Sequence, residues 1–104
     1  MEYIPKPYQD FKESYPDLLE SYENLANKCH GAGPLDEKIR RLIKLGIAIG
    51  TGSEGAIKSH ARRALDMGVS QEEINHAGLL ALTTIGFPSM IAAWEWIKEV
   101  IKEN

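Results

Sequence analysis

Along most of this chain the apolar positions recur at steps of three and four, the spacing that gathers one face of an α-helix. From Tyr8 to about Lys28 the apolar set is Phe11, Tyr15, Leu18, Leu19, Tyr22, Leu25 and Ala26. Pro16 falls inside that run and divides it into a short helix and a longer one, because its ring removes a donor and crowds the preceding turn. The residues through Pro7 hold two prolines and no period, which predicts an extended arm. His30-Gly-Ala-Gly-Pro34 reads as a loop.

The next helix starts near Asp36, whose carboxylate suits an N-cap, with Ile39, Leu42, Ile43, Ile47 and Ala48 as its register. Asp36–Arg40 and Glu37–Arg41 are spaced for pairing on the wet side. Gly50-Thr51-Gly52 interrupts it. The next helix, from about Ser53 to Met67, puts Ile57, His60, Ala61, Ala64 and Leu65 on one face and stops at Gly68. Ser70-Gln-Glu-Glu73 then has the spacing of a capping box. The helix that follows, to about Ile85, is apolar around most of its second half, which predicts a central helix covered on several sides. A Gly86-Phe87-Pro88 turn leads into a last amphipathic helix from about Ser89, carrying Met90, Ala93, Trp94, Ile97, Val100 and Ile101. No segment alternates at period two long enough for a strand. The expected class is an all-α bundle of five to six helices.

Composition narrows the function classes. A chain of 104 residues suits a single domain. Its net charge of -3 lacks the basic footprint of a nucleic-acid binder. One cysteine excludes an internal disulfide and any CxxC site. No spacing among His30, His60 and His76 makes a metal clip, so no metal and no cofactor are expected. No run approaches a membrane span, and the expected location is cytoplasmic. Trp94 and Trp96 are two residues apart, about 200° around a helix, so a single core is expected to cover only one of them. The other would pack against a second subunit, which predicts a homo-oligomer.

The segments GPLDEKIRRLIKLGIAIG, SEGAIKSHARRALDMGVSQEEINHAGLLAL and GFPSMIAAW, between Gly33 and Ala93 or just beyond, resemble the carboxymuconolactone decarboxylase family. That family includes the AhpD-like alkylhydroperoxidases, a peroxiredoxin-like branch. The resemblance implies an AhpD-like helical domain assembled into trimers or hexamers. It also implies a site around the helix that carries His60. The peroxidase branch has Cys-x-x-Cys-x-x-x-His there; in this chain those positions are Ser53, Ala56 and His60, and the position of the proton-relay Glu is Arg41. Neither Ser53 nor Ala56 can attack an O–O bond or resolve a sulfenic acid, so a dithiol peroxidase cycle is excluded by chemistry. The decarboxylase branch also lacks the cysteine pair.

The candidate catalytic residues are therefore His60, Ser53 and Glu54, and the candidate substrate-binding residues are Arg41 and Lys58. His60 can move a proton near neutral pH, or it can be a core histidine held by a backbone carbonyl. Arg41 can hold a carboxylate bidentately, or pair with Glu37 at the surface. Glu54 and Lys58 have the spacing of a solvated ion pair. Cys29, at a helix C-terminus, is expected to be inert. The expected activity is a cofactor-free lyase acting on a small organic acid or lactone. The alternatives are a non-catalytic oligomeric scaffold or ligand-binding protein, and a peroxidase homologue without its thiols.

Overall fold

The computed structural model describes residues 4–103, and all regular structure among them is helical. Six helices follow in order: α1 (Lys6–Ser14), α2 (Pro16–His30), α3 (Glu37–Thr51), α4 (Glu54–Asp66), α5 (Gln71–Leu79) and α6 (Phe87–Lys102). The chain divides into two compact units at the Leu35–Asp36 junction. No helix among the described residues is long and apolar enough to cross a membrane.

The first unit holds α1 and α2. Of the expected arm, residues 1–3 lie outside the described residues, and the rest is shorter than the sequence suggests, because α1 begins at Lys6 with Pro7 in its first turn. A proline costs nothing there, since the first helical N–H groups have no intrahelical acceptor. Pro16 does divide the run, as the first residue of α2. Leu19 is buried, whereas Leu18, Tyr22 and Leu25 are exposed one above another, Tyr22 at 64%.

The second unit carries the larger core. Leu45, Ile57, Ile74, Ile97 and Val100, from all four of its helices, are fully buried. α4 packs on α3 and α6, and α5 packs on α6 and α3. Side-chain caps fix the starts of α3 and α5. The Asp36 carboxylate accepts from the Ile39 N–H at 2.9 Å. The Ser70 hydroxyl accepts from the Glu73 N–H while Glu73 accepts from the Ser70 N–H, closing the capping box. Gly52 ends α3 with φ 71, a left-handed conformation that suits glycine.

Three expectations need correction. First, the helix after the capping box ends at Leu79 and continues only as overlapping turns to Ile85. It buries Ile74, Gly78 and Ala81, at i, i+4 and i+7, and leaves Leu80 59% exposed. Its ring of apolar residues thus reflects one core face and one outward face, not a covered central helix. Second, α6 begins at Phe87, so the expected Gly-Phe-Pro turn is its N-cap and first turn. Third, both tryptophans are half-buried against the core. α6 has α4 and α5 against it, so rings about 200° apart both find cover.

The middle of α3 carries a second apolar face, about 150° around the helix from its core side. Ile39, Ile43 and Ile47 are exposed on it. Gly46 and Gly50 lie among them, and a Cβ built on either meets nothing within 4 Å. A mid-helix glycine costs about 0.8–1 kcal/mol against alanine. Packing within this four-helix unit gives no return for that cost.

Candidate functional site

α3 and α4 are joined by Gly52 and Ser53 alone, so they run back along each other and set Arg41 opposite His60. Nη1 of Arg41 lies 2.8 Å from Nδ1 of His60. A guanidinium has no acceptor and stays protonated, so Nδ1 must accept. The ring is therefore neutral, with its proton on Nε2. This modifies the expectation that His60 acts as a proton donor: while Arg41 holds it, its chemistry is that of an N–H hydrogen-bond donor, not an imidazolium acid.

Arg41 is the electrostatic anomaly of the unit. Burial is the largest influence pushing its pKa below the ordinary value, and Arg63 adds to it. Glu37 opposes the shift at a distance, and Arg40 reinforces it. The Nε atom is buried with no hydrogen-bond partner. Among the described residues no carboxylate forms an ion pair with Arg41. The surface pair Glu37–Arg41 does not form, because the guanidinium turns inward to the imidazole.

The remaining sequence candidates occupy structural contacts. Ser53 is the N-cap of α4, its hydroxyl accepting from the Ala56 N–H at 3.3 Å. Lys58 is held between Glu54 at 2.8 Å and Glu99 of α6 at 2.7 Å. Those hydrogen bonds, Glu54 first, raise its pKa above the ordinary lysine value. Arg62 makes a two-pronged pair with Glu103, both bonds 2.9 Å, and Arg63 is exposed. Cys29 is exposed near the end of α2. Among the described residues no cluster of His, Cys, Asp and Glu has the makings of a metal site.

One feature was missed by the sequence reading. α3, α5 and the turns after it enclose a groove of about 520 Å³. It is lined by small residues such as Gly46, Gly50 and Ala77, by aliphatic ones such as Ile43, and by Glu73 and His76. The signal was present: two glycines four apart inside an otherwise regular helix. Periodicity obscures it, because Ile39, Ile43 and Ile47 have the spacing of a core face.

Residues 16–99 match the model of the carboxymuconolactone decarboxylase family, a longer span than the resembling segments. An uncharacterized protein of Methanocaldococcus jannaschii is 31% identical over 100 residues, covering 95% of this chain and 94% of that one. A second uncharacterized protein of the same organism is 30% identical over 90 residues, covering 86% of each. One from Haemophilus influenzae is 32% identical over 62 residues, covering 60% of this chain and 55% of its own. No solved structure matches with significance.

Proposed function

The chain belongs to the carboxymuconolactone decarboxylase family, and on that premise we propose that it binds a small organic acid at Arg41 and acts on it as a cofactor-free carboxy-lyase. The observation that carries this reading is a half-buried guanidinium that faces a neutral imidazole instead of a carboxylate. Such a cation lacks a counter-ion, and the carboxylate of a substrate supplies one through charge-assisted hydrogen bonds. In the lyase step the bond to the leaving carboxylate breaks and carbon dioxide departs. Its electron pair enters a conjugated carbonyl of the substrate as an enolate, and water later protonates the carbon. The Nε2–H of His60 is the donor for the developing enolate oxygen. The working form is a homo-oligomer, a ring of three or six, supported by the apolar faces that each chain leaves exposed.

The test is a panel of small unsaturated and lactone carboxylic acids, with binding read by calorimetry and turnover by carbon dioxide release. Arg41→Met abolishes binding, whereas His60→Leu lowers kcat tenfold or more and leaves binding within a few-fold. A panel in which no acid binds, or one bound equally well by Arg41→Met, overturns the assignment. A second reading, ligand binding without catalysis, is favoured by the engagement of Ser53 in a helix cap and of Lys58 between two carboxylates. Tight binding through Arg41 with no carbon dioxide released would select it.

A further inference from the structure

We propose that Arg63 is a second substrate-binding residue, which holds the carboxylate of the organic acid jointly with Arg41 across the α3–α4 seam. The proposal rests on the reading of Arg41 as an anion site and adds a residue to it. Arg63 stands one turn beyond His60 on α4, at i+3, where side chains are neighbours on one face. Arg41 reaches that face from α3, with its Nη1 2.8 Å from Nδ1 of His60. The two guanidiniums are therefore neighbours of one imidazole.

What the two share is the want of a counter-ion. Lys58 and Arg62, also on α4, are each engaged by carboxylates: Glu54 and Glu99 for the first, Glu103 for the second. Among the described residues neither Arg41 nor Arg63 forms an ion pair, although Glu37 stands one turn before Arg41 and Asp66 one turn after Arg63. The charge of Arg63 works against the protonated guanidinium of Arg41 more strongly than Glu37 supports it, and Arg40 adds to the opposition. Two like charges held close without an anion repel each other. A carboxylate set between them turns that repulsion into charge-assisted hydrogen bonds on both sides. The planar fork of each guanidinium suits the oxygens of such a group. Arg63 is exposed and Arg41 half-buried, so the first meets the acid from the solvent side and the second from within.

The probe is 2-furoate, a small unsaturated ring acid that is ionised at pH 7, with furfuryl alcohol as the same ring without the carboxylate. Binding is read by calorimetry, and stability by urea unfolding in the absence of the probe. Arg63→Gln weakens 2-furoate binding about fivefold, the scale of an exposed charge pair. It also raises the urea midpoint, because it relieves the repulsion, and that gain disappears in an Arg41→Met background. Arg63→Lys keeps the charge and restores most of the affinity. Arg62→Gln, one position away, loses the pair with Glu103, lowers the midpoint and leaves 2-furoate binding unchanged. Binding that Arg41→Met abolishes and Arg63→Gln leaves intact overturns the role of Arg63 while the Arg41 site stands. A lowered midpoint in Arg63→Gln also overturns it, since a carboxylate of the protein then already neutralises that charge. A parent chain that binds 2-furoate no better than furfuryl alcohol overturns both readings.

Discussion

Replacing Arg41 by methionine separates a residue kept for binding from one kept for the fold. Methionine preserves most of the apolar stem and deletes the guanidinium. The loss is one charge-assisted hydrogen bond to His60, a class that contributes about 1.5–3 kcal/mol. Against it stands the relief of the buried Nε atom that has no partner, a penalty of about 1–3 kcal/mol. The repulsion from Arg63 is relieved as well. These terms nearly cancel, so Arg41→Met is expected to lie within about 1 kcal/mol of the parent. For a domain of this size, that is a melting shift of no more than about 4–8 °C. His60→Leu is expected to cost more, about 1–3 kcal/mol, because it strands the whole guanidinium instead of removing it. Urea unfolding at pH 7, with equal slopes required of all variants, measures both. If Arg41→Met costs more than about 2 kcal/mol, or costs more than His60→Leu, the guanidinium is a structural element and the case for an anion site at Arg41 falls.

Ser53→Ala is expected to lose about 1 kcal/mol of stability through its helix cap, while carboxylate affinity measured by calorimetry stays unchanged. Glu73 and Glu103 have pKa values lowered in the folded chain, mainly by hydrogen bonds from the Ser70 backbone and from Arg62 respectively. Their stabilising contribution is complete above the ordinary glutamate range and is lost as pH falls through the lowered folded values. Unfolding curves from pH 6 down to pH 3 will therefore show a decline that Glu103→Gln makes shallower. With dithiols and organic hydroperoxides the protein is expected to show no saturable turnover. Activity that survives Cys29→Ser would reveal a thiol-independent route that Ser53 and Ala56 give no reason to expect.

The helices were legible because their starts are written in single residues. Asp36 and Ser70 each cap as their type and position dictate, and Pro16 divides the first run where its ring requires. What periodicity could not convey was which apolar face is core. On α3 the run Ile39, Ile43 and Ile47 has a faultless helical spacing and faces outward, while Leu45, Ala48 and Ile49 hold the interior. On the run after Ser70, apolar residues occupy so many positions that no register stands out. Of the candidate site, the contact between Arg41 and His60 was half legible. Helical spacing placed His60 on an inward face and the resemblance set Arg41 where a carboxylate would stand, but only the tight α3–α4 joint brings guanidinium and imidazole to 2.8 Å. The occupations of Ser53 and Lys58 depend on atoms that spacing alone does not locate, such as the carboxylate of Glu99.

The bond between Arg41 and His60 also decides what the imidazole is to an incoming electrophile. With one ring nitrogen giving its lone pair to a guanidinium and the other carrying hydrogen, no basic nitrogen remains to be acylated or alkylated. His76, exposed on α5, is under no such hold. A reagent such as diethyl pyrocarbonate will therefore mark His76 first, and will mark His60 only after Arg41 has been replaced. By this single contact the chain makes its inward histidine a Lewis acid at hydrogen and withdraws it from nucleophilic chemistry.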